Sequence, residues 1–276
     1  MEYFKIKLSD YYNGINDNAI LEGYVSSTTT KKPRPAILLC AGGGYHFVSE
    51  NEQEPVVFNL LTLNVNVFSL TYTVAGQGNT YPDALREVAA AFDFIYNNAE
   101  KYRTDNSLIG IMGFSAGGHL AAHYSNRYNI PEISEVIKNP IKPAFSVLCY
   151  PVVSANPLYY HRNSFVNLLG HNPSEKEIDE FSTDKMVSED TPPTFIWTTA
   201  EDKLVPPVNS ILYAEKLSLF GVPFALHIYP TGTHGLSVVN ETVPYKETKV
   251  INPPDYHNAV WIEELKHFIR SLVYRG

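Results

Sequence analysis

Cysteine is almost missing from this chain, with two in 276 residues. Cys40 and Cys149 each stand at the end of an apolar, strand-like run. They read as buried reduced thiols rather than a disulfide or a metal pair. No His/Cys/Asp/Glu spacing resembles a metal site, and no cofactor is expected. Basic runs are absent, and the net charge is -8, which argues against a nucleic-acid partner. No apolar run is long enough to cross a bilayer. Met1–Lys7 alternates like a strand and lacks the apolar core of a secretory signal, so the expected compartment is the cytoplasm, with no membrane partner. Repeats, low-complexity tracts and linkers are also missing. The expectation is one domain over residues 1–276, long enough to bury a large core.

What is present is a composition of 44% hydrophobic and 18% charged residues, as in globular proteins. Tyr3–Leu8 and Ala19–Val25 read as strands about a turn at Asn13-Gly14, followed by a polar loop over Ser26–Pro35. Ala36–Cys40 is continuously apolar, as a strand buried on both faces must be. Asn51–Leu63 reads as a helix and Asn66–Tyr72 as a strand. A helix starts at Pro82, with Leu85, Val88, Ala89, Phe92, Ile95 and Tyr96 at helical spacing. Strands over Leu108–Met112, Ala144–Tyr150, Thr194–Thr199 and Ala225–Tyr229 follow. They alternate with helices after Met112, over Val208–Phe220 (closed by Gly221) and over Trp261–Tyr274. This alternation predicts an α/β domain, a mainly parallel sheet with helices on both faces. Ser154–Thr191 interrupts it. A short helix end at Phe165–Gly170 and a capping box at Ser174 and Glu177 suggest a cap or lid insertion after the strand ending near Tyr150, with a plain connection as the alternative.

Gly113-Phe114-Ser115-Ala116-Gly117 lies between an apolar strand and a helix. A serine lifted on a sharp strand-to-helix turn needs glycine two residues to either side, because side chains there would collide. The bare pattern is weak, since a small-residue turn would also fit, so partners must decide. A serine hydroxyl needs a base, and the base needs an orienting acid. Asp202 follows the strand ending at Thr199 and is assigned as that acid, with Glu201 or a helix-capping role as the alternatives. His234 follows the strand Ala225–Tyr229 in a glycine-bracketed loop and is assigned as the base. Only a neutral imidazole accepts the proton, so turnover should rise as the imidazole loses its charge. The other eight histidines are given no catalytic role. His227 reads as a packed strand residue, and His119 and His123 ride the helix after the serine. A third need is backbone N–H groups facing the developing oxyanion. Ala116 supplies one, and Ala41-Gly42-Gly43-Gly44-Tyr45 follows the strand Ala36–Cys40 where others are needed. A phosphate-cradling loop is the rival, but no Gly-x-x-x-x-Gly-Lys or dinucleotide fingerprint is present. Tyr45 and His46 are candidate pocket residues.

Ala41–Gly44, Gly113–Gly118, Ala200–Asp202 and Gly232–Gly235 together resemble the α/β-hydrolase superfamily. Gly-Phe-Ser-Ala-Gly-Gly-His-Leu-Ala and the Gly221–Pro230 stretch before His234 are similar to its bacterial acetyl and acetylxylan esterases. The resemblance covers the chain from about Ile37 onward. It implies a Ser115–His234–Asp202 triad and oxyanion donors at Gly43, Gly44 and Ala116. Ala41 departs from the pattern, where many members carry histidine. The glycines supply the N–H groups, so the hole should survive with altered loop support. The expected function is a serine carboxylesterase acting on short acyl esters through an acyl-enzyme, with deacetylation of sugars or oligosaccharides favoured on analogy. Aromatics, 13% of the chain, could stack on sugar rings, although core packing explains most of them. Two alternatives are a peptidase of the same fold and a non-catalytic ligand-binding homologue. The expected partner is a small-molecule or oligosaccharide ester, and a homodimer is admissible.

Overall fold

Strand order explains how distant motifs meet. The computed structural model describes residues 1–27, 32–240 and 253–273. Among them eight strands form one sheet: β1 (Glu2–Lys7), β2 (Ile20–Val25), β3 (Arg34–Cys40), β4 (Asn66–Thr71), β5 (Thr104–Phe114), β6 (Ser146–Cys149), β7 (Thr194–Thr199) and β8 (Phe224–Tyr229). Their spatial order is β1-β2-β4-β3-β5-β6-β7-β8. The pairs β1/β2 and β2/β4 are antiparallel, and all later pairs are parallel. The expected mainly parallel sheet is therefore observed.

The α-helices are α1 (Glu54–Leu61), α2 (Thr80–Asn97), α3 (Ala99–Tyr102), α4 (Ser115–Arg127), α5 (Pro131–Ser134), α6 (Arg162–Leu169), α7 (Glu175–Asp179), α8 (Val208–Leu219) and α9 (Trp261–Val273). Alternation along β3 assigns them to two layers. Ala36, Leu38 and Cys40 join a core with residues of α2, α4 and α8. Ile37 and Leu39 join a second core with α1 and α9. Successive strand side chains point to opposite faces, so a continuously apolar strand feeds both cores. No described helix is long and apolar enough to cross a membrane.

Several boundaries differ from the sequence reading. The helix expected over Asn51–Leu63 is a 3-10 turn, Glu50–Glu52, then α1, because Gln53 adopts φ -106° and ψ -102° between them. The strand expected over Leu108–Met112 extends back through a polar stretch, because Arg34 of β3 pairs with Thr104. Regular helix in α2 begins at Pro82, after an extended Tyr81. Tyr274 lies outside the described residues, as do 28–31 of the expected polar loop.

The excursion between β6 and β7 contains α6, α7 and a 3-10 turn, Thr183–Met186. Gly170 ends α6 at φ 73°, and Ser174 with Glu177 forms the full capping box that starts α7. Val152, Ala155, Phe165, Ile178 and Val205 make a separate small core beneath it.

Candidate active site

The carboxyl ends of β3, β5, β7 and β8 lie along one sheet edge, aligned by the pairs Cys40–Gly113 and Thr199–Tyr229. Each end carries one of the expected groups. Ser115 begins α4 at φ 53°, a left-handed conformation that a non-glycine residue holds only under strain. A Cβ on Gly113 would lie 2.0 Å from the Gly117 carbonyl oxygen, and one on Gly117 would lie 2.2 Å from that of Cys40. Nothing larger than glycine fits at either place while that turn is kept.

Ser115 and His234 meet across 119 residues of sequence, with Oγ 2.7 Å from His234 Nε2. His234 Nδ1 is 2.6 Å from Asp202 Oδ2. Asp202 is buried, and its Oδ1 accepts the N–H groups of Leu204 (3.0 Å) and Val205 (2.9 Å). The carboxylate thus keeps Oδ2 turned to the imidazole. Glu201, the alternative acid, accepts instead from Gly232 N–H at 3.2 Å. Its contact supports the histidine loop, which Thr199 Oγ1 also holds by donating to Gly232 O. The Tyr150 and His234 rings pack in a T-shaped contact, centroids 5.0 Å apart. This chain of contacts suits base-assisted attack by a hydroxyl, with the acid fixing the imidazole.

The loop after β3 is tied down from three sides. Tyr72 donates its hydroxyl to Ala41 O (2.6 Å). Gly42 N–H donates to buried Glu52 Oε2 at 2.7 Å, while Tyr150 donates to Glu52 Oε1 at 2.7 Å. Asn167 Nδ2 of α6 donates to Gly44 O at 2.8 Å. Gly43 and Gly44 adopt φ 125° and 64°. Among the described residues their N–H groups donate to no protein acceptor, as backbone reserved for a developing oxyanion requires. Ala41 itself is fully buried, its carbonyl anchored by Tyr72.

These groups border a cleft of about 1440 Å³ lined by Gly43, Gly44, His46, Ser115, His234 and, from the excursion, His161 and Asn167, among others. His46 therefore sits where the sequence reading put it, exposed at the cleft. Tyr45 does not. It adopts φ 56°, and its ring is buried with its hydroxyl 2.9 Å from His119 Nδ1. The turn through Gly43, whose carbonyl accepts from His46 N–H, sends successive side chains to opposite sides. Sequence reasoning missed Glu52, Tyr150, His161 and Asn167. Glu52 and Tyr150 are 98 residues apart, and no local pattern links them. Among the described residues no three His/Cys/Asp/Glu side chains converge as metal ligands.

The BD-FAE family model matches residues 21–217. The endo-1,4-beta-xylanase B of Butyrivibrio fibrisolvens is 37% identical over 215 residues, 75% of this chain and 33% of that protein. The acetylxylan esterase of Xylanibacter ruminicola is 33% identical over 205 residues, 72% of this chain and 40% of that protein. The chain thus spans 33% to 40% of the length of these two relatives. A solved structure, the acetyl ester-xyloside bifunctional hydrolase from Caldicellulosiruptor lactoaceticus, is similar with a TM-score of 0.82 and 30% identity, covering 99% of this chain and 97% of that one.

Proposed function

The chain belongs to the BD-FAE family and has the α/β-hydrolase fold, and from that premise we propose that it is a serine carboxylesterase removing short acyl groups, acetyl first among them, from sugars or oligosaccharides. Ser115 Oγ attacks the ester carbonyl carbon while His234 Nε2 takes its proton. Asp202 holds the Nδ1–H and stabilises the imidazolium that forms. The N–H groups of Gly43, Gly44 and Ala116 face the carbonyl oxygen as it gains charge. His234 returns the proton to the departing alcohol. The acyl-enzyme on Ser115 then falls to a water that His234 deprotonates, and the carboxylic acid leaves. Residues 154–191 act as a cap that gives the cleft one wall.

The observation that carries this reading is the unbroken Asp202–His234–Ser115 contact chain at the floor of the cleft, with spacings of 2.6 and 2.7 Å. The substrate class is supported by what the relatives are: an acetylxylan esterase, a xylanase and an acetyl ester-xyloside hydrolase. A cleft of about 1440 Å³ exceeds the roughly 300–1,000 Å³ common for drug-sized ligands and has room for an oligosaccharide. The test is Ser115→Ala assayed on acetylated xylo-oligosaccharides and p-nitrophenyl acetate. Loss of at least about a thousandfold in kcat on both is expected. Turnover within a few fold of the unaltered protein would overturn the assignment.

A further inference from the structure

Two histidines of the cleft, His46 and His161, have no part in the triad. His161 immediately precedes α6 and lines the cleft beside Ser115 and His234. Its position is fixed by two neighbours on the same helix. Asn167 anchors α6 to the loop by donating to Gly44 O at 2.8 Å. Ser164 Oγ lies 2.8 Å from His161 Nδ1. A Cβ built on Gly44 would lie 3.9 Å from His161 Cε1, so the ring stands next to Gly44.

The hydrogen bond with Ser164 also determines which nitrogen carries the proton. Ser164 is buried, and among the described residues its hydroxyl has no partner other than His161. A buried hydroxyl hydrogen needs an acceptor, and His161 Nδ1 is the one within reach. Accepting there leaves the hydrogen on Nε2. Burial, with a smaller contribution from the nearby His234, pulls the His161 pKa down, and the Asp202 carboxylate opposes them. The cleft wall therefore carries an N–H donor next to Gly44.

Resting on the esterase reading above, we propose that His161 is a specificity-determining residue whose Nε2–H binds the alcohol half of the ester, donating to a sugar hydroxyl or ring oxygen. An acetyl group has one good acceptor, its carbonyl oxygen, and the backbone N–H groups take that. Its methyl offers none. A donor standing beside Gly44 finds its acceptor on the alcohol side, which in a sugar ester is rich in hydroxyls. The same residue would give little to p-nitrophenyl acetate, whose alcohol half has no hydroxyl.

The test compares His161→Leu and His161→Gln with the unaltered protein on acetylated xylo-oligosaccharides and p-nitrophenyl acetate. The readout is the ratio of the two kcat/KM values. A single uncharged hydrogen bond corresponds to roughly three- to tenfold in affinity. H161L should lower the ratio by that factor, mainly by raising KM for the sugar ester. H161Q, whose amide N–H can take the donor's place, should recover part of it. Fluorophosphonate labelling of Ser115 in both variants checks that the site is still assembled. A ratio unchanged in H161L, or lost equally in H161L and H161Q, would overturn the role. If the unaltered protein hydrolyses neither ester, it is the esterase reading that fails.

Discussion

His119 accepts the Tyr45 hydroxyl at Nδ1 (2.9 Å) and contacts the Phe181 carbonyl at Nε2 (2.8 Å). A carbonyl can only accept, so Nε2 carries the hydrogen and Nδ1 receives that of Tyr45. The neutral ring, whose pKa burial lowers to about 4, joins the glycine loop, the helix after Ser115 and the excursion. Tyr45→Phe removes the one hydroxyl that Nδ1 has and leaves a buried acceptor unpaired. The expected loss is about 1–3 kcal/mol of stability, read as a lower urea midpoint at unchanged slope. Equal midpoints would show that the bridge contributes nothing.

The two kinds of glycine should respond differently to alanine. A Cβ on Gly117 would lie 2.2 and 2.4 Å from the carbonyl oxygens of Cys40 and Ala41, and backbone cannot swing aside. Gly117→Ala should cost about 3 kcal/mol or more, or prevent soluble expression. Gly170 has φ 73° but open space around it. Gly170→Ala should cost only about 1–2 kcal/mol, the left-handed backbone alone. Thermal melts of both variants check the order, and equal shifts would contradict it.

Glu87 gives the fold a pH dependence of its own. It is fully buried on α2, accepting Thr73 N–H at 2.7 Å with its other oxygen 2.5 Å from Thr73 Oγ1. Burial raises its pKa from 4.5 to about 7, against the lowering effect of the Thr73 contacts. Below about pH 4.5 it is protonated folded and unfolded alike. Between 4.5 and 7 the unfolded chain gives up a proton that the folded chain keeps, so stability falls as pH rises, by about 3 kcal/mol in all. Glu87→Gln is neutral at every pH and keeps both Thr73 contacts, its oxygen accepting and its amide donating. Its stability advantage in urea should therefore grow from pH 4.5 to 7.5. A constant difference would mean that Glu87 titrates normally.

Glu52 should matter more to rate than its distance from the chemistry suggests. It holds Gly42 N–H and the Tyr150 hydroxyl at 2.7 Å each, and Tyr150 packs on His234. Glu52→Ala removes one of the three ties on the glycine loop and the hydroxyl anchor of the histidine's neighbour together. A loss of roughly a hundredfold in kcat is expected, since a shift of about 1 Å in a positioning group has that effect. Steady-state kinetics on p-nitrophenyl acetate would reveal it, and a loss under threefold would contradict it.

The legible parts of the chain are those where local chemistry fixes the outcome. Apolar continuity over Ala36–Cys40 required a doubly covered strand. The glycines about Ser115 required a turn, because no Cβ fits there. Chain order after two strands pointed to Asp202 and His234. Illegible parts depend on tertiary partners. The polar start of β5 is a strand only because Arg34 pairs with Thr104. Tyr45 turns inward because His119, 74 residues away, accepts its hydroxyl. Asp202 and Glu201 could be separated only once the loop around Gly232 was placed, where Glu201 is the one holding its N–H.

The most direct test is to acid-quench the protein during incubation with p-nitrophenyl acetate and map the modified peptide by mass spectrometry. An acetyl group on Ser115 of the Gly113–Gly117 peptide, absent in His234→Ala, is the expected result. Sustained turnover with no acetyl on Ser115, or with acetyl on another residue, would contradict the mechanism.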